Sequence, residues 1–152
     1  MIIIKIFLGV DHQGVKIKNE LIEFGKNNEI EIISTVLEND DTDDYPDFAY
    51  EVCMNVLKYN ALGVLICGSG IGMSIAANKI KGIRCARVCS NADAYTSKNH
   101  NGANVIAFSA NLPIDEIKEI ILTFANTSFP TEDRHLKRIE KINKIERGEY
   151  EL

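Results

Sequence analysis

The sequence lacks the features of a membrane-spanning, secreted or nucleic-acid-binding protein. It has no tryptophan and three prolines in 152 residues, and none of its apolar runs approaches the ~20 residues that a membrane-spanning helix needs. The start Met-Ile-Ile-Ile-Lys has neither a basic segment nor a small-residue cleavage site, so we expect no signal peptide. The net charge of -5 weakens the case for a nucleic-acid surface. These absences favour a cytoplasmic protein without membrane or nucleic-acid partners.

The cysteines and histidines show no spacing typical of disulfides or metal sites. The four cysteines form no CxxC pair, which is typical of reduced thiols. Cys53, Cys85 and Cys89 are predicted to be small buried hydrophobes. The three histidines form no H-x-x-x-H motif and no Cys–His group of zinc type, so we expect neither a metal nor another cofactor.

Strand and helix patterns alternate along residues 1–152 without a repeat or a linker, which predicts one α/β domain. The expected fold is a Rossmann-like α/β/α sandwich, with helices on both faces of a five-stranded parallel sheet. The common strand order 2-1-3-4-5 makes strands one and three neighbours. The predicted strands are 2–10, 30–36, 62–67, 83–89 and 104–108. The predicted helices lie around 20–24 and over about 46–59, 73–79, 92–100, 114–126 and 134–147.

Two polar segments follow the neighbouring strands one and three. Strand one ends in Asp11-His12, and strand three ends at Cys67, before a glycine-rich segment. Open parallel sheets bind ligands at the carboxyl ends of their strands, where the strand order reverses. We therefore expect the functional site in this crevice, with Cys67 placed where backbone dipoles favour a thiolate.

The glycine-rich segment from Gly68 to Gly72 has two interpretations. Alternating glycines before a helix let backbone N–H groups bind an anion, with Ser69 as a further hydroxyl. A tight turn that needs glycine for a positive φ explains the same residues. A dinucleotide fingerprint fits poorly, because G-x-G-x-G follows the third strand and no acid stands about 20 residues later. A cysteine-dependent phosphatase loop also fits poorly, because it would need a nearby arginine, and none occurs as far as Lys79.

A basic cluster opens the final predicted helix. Spacings of four and three residues put Arg138 on one face with Arg134 and His135, which suits a phosphate. Several acidic and basic neighbours make an ordinary charged helix the simpler interpretation.

Several short motifs follow one another in order along nearly the whole chain. They are D-H-Q-G at 11–14, D-Y-P-D-F-A at 44–49, C-G-S-G-I-G-M-S-I-A-A-N-K at 67–79, G-I-R at 82–84, H-N at 100–101, A-N-V at 103–105 and R-H-x-x-R at 134–138. Together they resemble the motifs of the type B ribose-5-phosphate isomerases, a family that includes the galactose-6-phosphate isomerase subunits.

This resemblance implies metal-free interconversion of D-ribose 5-phosphate and D-ribulose 5-phosphate, a step of the non-oxidative pentose phosphate pathway. It also implies a homodimer or tetramer, with a C-terminal helix that reaches toward a partner subunit. By position, Cys67 is the base that moves a proton between C1 and C2. His100 is the acid that helps to open the furanose ring, with Asp11 at the same oxygens.

The resemblance also implies two groups of binding residues. The enediolate would be held by the loop residues Gly68, Ser69, Gly70, Ile71 and Gly72. The rest of the substrate would be held by Asp11, His12, Asn101, Asn111, Arg134 and Arg138. The family site lies between subunits, so His100 and the two arginines are expected to act across a dimer interface.

Three positions depart from the family pattern. Asn111 stands where many members have arginine, Gly102 replaces an acid, and Glu132-Asp133 replaces Gly-Gly. We therefore expect one weaker phosphate contact, or one supplied by another cation such as Lys137. Two other functions stay open: isomerisation of a six-carbon phosphosugar, and a non-catalytic module that binds a sugar phosphate or a nucleotide.

Overall fold

The computed structural model describes residues 3–152, over which the chain forms five strands and six helices. The strands are β1 (Ile4–Val10), β2 (Ile30–Ser34), β3 (Leu62–Cys67), β4 (Cys85–Arg87) and β5 (Val105–Ser109). The helices are α1 (Val15–Lys26), α2 (Tyr45–Tyr59), α3 (Ile71–Ala77), α4 (Asn91–Asn99), α5 (Ile114–Asn126) and α6 (Asp133–Glu146). Ile2, the predicted start of the first strand, lies outside the described residues.

All strand pairs of the sheet are parallel, and the strand order is β2-β1-β3-β5-β4. The predicted contact between strands one and three is confirmed, but the predicted order of the last two strands is wrong. The residues 105–108 of β5 are all 0% exposed, which suits a position with a neighbour on each side. β4 has three residues and ends at the exposed Arg87, which suits the edge of a sheet.

Helices cover both faces of the sheet, as the alternation of strands and helices predicts. One apolar core contains Leu8 of β1 and side chains of α1 and α5. The opposite core contains Phe7, the neighbouring residue of β1, and side chains of α2 and α3. Successive side chains of a strand point to opposite faces, so both faces of β1 are buried. No helix within residues 3–152 has the length and the apolar character needed to cross a membrane.

The cysteines differ in burial. Cys53 is 0% exposed, as predicted, and its burial raises the pKa of the thiol to about 12. Cys85 is half-buried, and burial also raises its pKa. The prediction for Cys89 is wrong, because this residue is exposed. β4 ends at Arg87, two residues before the predicted end of the strand at residue 89. Cys89 therefore lies in the turn that follows, where its amide donates to an oxygen of Asp93 (2.9 Å).

The C-terminal helix α6 packs loosely against the rest of the chain. Among its residues, His135 is buried, whereas Leu136, Ile142 and Ile145 are between 44% and 60% exposed. Gly82 contacts the C-terminal end of α6, where the Gly82 amide donates to the side chain of Glu146 (3.1 Å). α6 therefore leaves large apolar side chains uncovered in the single chain.

Candidate active site

Asp11 and Cys67 lie at the carboxyl ends of the adjacent strands β1 and β3. The Asp11 amide donates to the carbonyl oxygen of Ile66 (3.1 Å), which extends the ladder between the two strands. Asp11 is 6% exposed, and its Oδ1 accepts a hydrogen bond from the Gln13 amide (2.8 Å). Cys67 is 5% exposed. The crevice predicted from strand order therefore contains a buried carboxylate beside a buried thiol.

The glycine-rich loop folds back on the Cys67 side chain. The Gly70 amide donates to Cys67 Sγ (3.1 Å), and the Ile71 amide donates to Ser69 Oγ (3.1 Å). Gly70 has a φ of 77°, and a Cβ atom there would lie 2.7 Å from the Cα atom of Phe108. A side chain at Gly72 would lie 2.5 Å from the ring of Tyr45. Glycine is thus required for steric reasons at Gly70, whereas a side chain at Gly72 would displace the exposed Tyr45 ring. The resulting fold supplies an N–H group to the sulfur.

β5 supports this loop from the side. Ser109 pairs in register with Cys67, and its hydroxyl donates to the Gly68 carbonyl oxygen (2.6 Å). The Ser109 hydroxyl also accepts a hydrogen bond from the Asn111 amide (3.0 Å). Asn111 therefore lies at the carboxyl edge, close to the loop, with a neutral side chain. Sequence reasoning missed Ser109, although its place at the end of a buried strand was a usable signal.

Arg87, at the end of β4, also contacts the loop. Its Nε–H donates to the Ser69 carbonyl oxygen (3.0 Å), and its Nη1 lies 3.3 Å from Cys89 Sγ. Sequence reasoning missed this residue too, because the predicted strand 83–89 placed Arg87 within the strand and not at its end. In the observed structure β4 ends at Arg87, which pairs in register with Ala107 of β5.

His12 forms an ion pair with Asp43, which belongs to the acidic segment between β2 and α2. The Nδ1 atom of His12 lies 2.9 Å from Asp43 Oδ1, and its backbone amide donates to the same oxygen (3.3 Å). The hydrogen bond with Asp43 raises the pKa of His12 above 6.5. Burial alone would raise the pKa of Asp43, but hydrogen bonds from His12 and Asn39 lower it overall. Asp43 thus favours the protonated form of His12 at the carboxyl edge, and sequence reasoning did not identify Asp43 as part of the site.

His100 and His135 stack on each other at a different place. Their ring centroids are 4.4 Å apart, with an interplanar angle of 14°. Burial lowers the pKa of His135, and the nearby His100, Arg134 and Arg138 lower it further. His135 Nε2 is buried and has no hydrogen-bond partner among residues 3–152. The expected phosphate cluster is therefore divided, because His135 points inward while its arginine neighbours stay exposed.

Arg134 and Arg138 both begin α6 on its exposed surface. Arg134 Nε donates to Glu132 Oε2 (2.8 Å), so part of its charge is compensated within the same segment. Arg138 lies one turn further along α6. The expected role of Arg134 and Arg138 in binding phosphate stays a prediction, and the acidic Glu132 lies beside Arg134, as the departure from the family pattern indicates.

His100 and Asn101 lie at the amino edge of the sheet, opposite Cys67. His100 ends α4, a helix that returns the chain to the start of β5. In the same segment, the Asn104 carbonyl oxygen accepts from the Gly63 amide at the start of β3 (2.9 Å). β5 pairs with Cys67 at its other end, five residues later, and such a strand spans roughly 13–17 Å. A single chain therefore does not bring His100 and Asn101 to Cys67.

The described residues contain no preformed metal centre. Between residues 3 and 152, no three side chains of His, Cys, Asp or Glu lie close enough together to hold a metal ion.

The fold and this edge together define an α/β protein with a Rossmann-like sheet and a candidate small-molecule site at the carboxyl ends of its strands. The chain belongs to the Ribose/Galactose Isomerase family, whose model matches residues 6–142.

Individual relatives match over nearly their full length. The chain is 37% identical over 144 residues to ribose-5-phosphate isomerase B of Escherichia coli, covering 93% of this chain and 96% of that protein. The type B ribose 5-phosphate isomerase structure of Trypanosoma brucei matches with a TM-score of 0.88 at 37% identity, covering 95% of this chain and 99% of that one. Ribose-5-phosphate isomerase B of Mycoplasma genitalium, whose structure has bound ribulose-5-phosphate, gives a TM-score of 0.87 at 36% identity and covers 95% and 97%.

Proposed function

We propose that this chain is a ribose-5-phosphate isomerase that interconverts D-ribose 5-phosphate and D-ribulose 5-phosphate through an enediolate, without a metal ion. The observation that carries this proposal is the placement of Cys67 Sγ beneath the Gly70 amide, next to the buried Asp11, in a member of the Ribose/Galactose Isomerase family. The proposal treats residues 1–152 as one isomerase domain in the cytoplasm.

Cys67 acts as the base in the proposed reaction. With the sugar open, the thiolate takes the proton from C2 of the aldose, which forms a C1=C2 double bond and leaves the negative charge on O1. The proton is then returned to C1 as the carbonyl forms at C2, and the hydroxyl proton of O2 is transferred to O1. The enediolate oxygens carry the developing charge. Backbone amides of the loop from Gly68 to Gly72, together with Ser69, stabilise that charge, and one well-placed donor contributes about 2.7–4 kcal/mol.

A second copy of the chain completes the proposed site. Opening the furanose ring needs an acid, and His100 is the candidate, with Asp11 at the same oxygens. Because His100 and Asn101 lie at the edge opposite Cys67 in one chain, we assign these two residues to the partner's side of the site. The exposed apolar side chains of α6 support such a dimer, since a partner would bury them. A tetramer is compatible with the same pairing.

The phosphate of the substrate binds among the cations in this proposal. His12 contributes an imidazole whose protonated form is favoured by Asp43. Arg134 and Arg138 contribute their guanidinium groups from α6 of the partner. Asn111 offers an amide in place of a charge. Binding energy from the remote phosphate is available for orienting the reacting carbons.

The test is an assay of the purified chain with a chelator present, with ribose 5-phosphate as the substrate. We expect turnover that survives chelation and that falls by about 10²–10⁴-fold in Cys67→Ala, as expected for loss of a positioned base. A six-carbon phosphosugar assayed in parallel should be turned over more slowly. No turnover of ribose 5-phosphate by the wild type would contradict the proposal, and full activity in Cys67→Ala would indicate a different base.

A further inference from the structure

Arg87 is bound to the same peptide group that touches the Cys67 sulfur. The carbonyl oxygen of Ser69 accepts a hydrogen bond from Arg87 Nε (3.0 Å). The N–H of Gly70, on the other side of that peptide bond, donates to Cys67 Sγ (3.1 Å). In a planar trans peptide, the C=O and N–H bonds point in opposite directions. The guanidinium and the sulfur therefore hold the two ends of one peptide plane.

We infer that Arg87 is a positioning residue for the proposed isomerase, holding the Ser69–Gly70 peptide with its N–H directed at the Cys67 sulfur. This inference rests on the proposed function, in which Cys67 is the base.

This arrangement directs a polarised N–H group at the Cys67 sulfur. A hydrogen bond from a cation to the carbonyl oxygen polarises the peptide, and hydrogen bonds in a chain strengthen one another. The polarised N–H then stabilises negative charge on the sulfur. Loss of Arg87 would remove one of the two hydrogen bonds that orient this peptide, and glycine at position 70 offers the backbone more alternative conformations than another residue would.

The charge of Arg87 is available for this role. No ion pair within residues 3–152 includes Arg87. Its other polar contact is with Cys89 Sγ, at 3.3 Å. The titratable or charged side chains at this end of the neighbouring elements include Asp11 and His12 after β1, Tyr45 at the start of α2, Asp93 in the first turn of α4 and Arg87 at the end of β4. Arg87 is the cation that is hydrogen-bonded to the loop.

The test compares Arg87→Met with Arg87→Lys in full-length protein that also carries Cys89→Ser. The Cys89→Ser substitution removes the exposed thiol that would otherwise react with iodoacetamide. The alkylation rate of Cys67 is followed across pH by mass spectrometry of its peptide. We expect Arg87→Met to move the midpoint of the rate profile up by about half a unit to one pH unit, which slows alkylation below the midpoint about threefold to tenfold. Arg87→Lys should fall in between, because it keeps the charge but not the planar donor.

Two comparisons separate positioning from other effects. The rate plateau at high pH reports access to the sulfur and should not change. Lys26→Gln removes one positive charge at the end of α1, at the opposite edge of the sheet, and should leave the profile of Cys67 unchanged. A profile for Arg87→Met that matches the profile for Lys26→Gln would overturn the inference.

Steady-state kinetics give the second measurement. We expect Arg87→Met to lower kcat by about the same factor as the alkylation rate and to change KM less than about twofold. A raised KM with an unchanged alkylation profile would mean that Arg87 binds the substrate directly, which would overturn the positioning role. Because alkylation needs no substrate, a failure of the proposed isomerase function leaves this test of the Arg87 contact intact.

Discussion

His100 and His135 stack with their ring centroids 4.4 Å apart, which joins the end of α4 to the start of α6. The contact attaches the first turn of α6 to the rest of the protein, because His135 is the buried residue of that helix. Two residues that the motifs place 35 positions apart are thus one structural unit, at the edge of the sheet away from Cys67.

Stability should fall in mild acid through His135. Its pKa is lowered from 6.5 in the folded chain, chiefly by burial, so the unfolded chain binds the proton first as the pH falls. The contribution of His135 is complete above pH 6.5 and is lost as the pH falls from there toward the folded pKa. His135→Phe keeps a stacking ring without a titrating group. We expect its Tm to fall less than the wild-type Tm between about pH 7.5 and about pH 5.5.

His12 acts in the opposite direction, because its pKa is raised in the folded chain. Its contribution is complete below pH 6.5 and is lost as the pH rises through the folded pKa. The comparison of His135→Phe with wild type cancels this contribution, since both proteins retain His12. An equal loss of Tm in the two proteins would show that His135 does not titrate in this range.

Mixing two inactive variants should restore activity. In a dimer with shared sites, Cys67→Ala and His100→Ala each damage both sites. A mixed dimer has one site with both residues intact, and random exchange of subunits gives about a quarter of the wild-type activity. The measurement is turnover of ribose 5-phosphate after the two variants are unfolded together and refolded.

The control for this mixture is each variant refolded alone, which should stay inactive. Activity of the mixture no greater than that of the controls would place Cys67 and His100 of one chain in the same site, against the topology described above.

Gly70→Ala should destabilise the protein and slow the reaction. The added Cβ would meet the Phe108 backbone at 2.7 Å, and the φ of 77° disfavours any side chain. Backbone strain of this kind costs about 1–3 kcal/mol, and the clash adds to it. Gly148→Ala is a matched control, because Gly148 has a φ of 71° and nothing within 4 Å of the added atom. Urea unfolding should show a clearly larger loss for Gly70→Ala; equal losses would mean that the loop shifts freely.

Asp43→Asn should weaken substrate binding more than it slows turnover. Without the carboxylate, the pKa of His12 falls, so less of the imidazole is charged near pH 7.5. We expect KM for ribose 5-phosphate to rise about threefold to tenfold, and the rise should be smaller at lower pH, where His12 is protonated in both proteins. Asp41→Asn removes one charge from the same segment and should change KM less. A similar KM change in the two variants would show that the segment acts through its total charge.

Local patterns in the sequence were enough to predict the crevice. Buried runs and glycine signals define strands that end at Asp11 and Cys67, and the parallel topology brings these two residues together. The motif order also predicted the family, because several spaced motifs must occur together along the chain. These properties depend on residues that are close in the sequence, or on general rules of parallel sheets.

The three-dimensional packing decided the remaining features. β5 lies between β3 and β4, where it has a neighbouring strand on each side. Arg87 of the edge strand β4 still contacts the loop after β3, through its hydrogen bond to the Ser69 carbonyl oxygen. Asp43 meets His12 across 31 residues, a distance at which spacing carries no information about contact. Such contacts are selected by how whole elements pack, because a hydrogen bond or a stacked pair forms only when both partners are brought within a few ångströms.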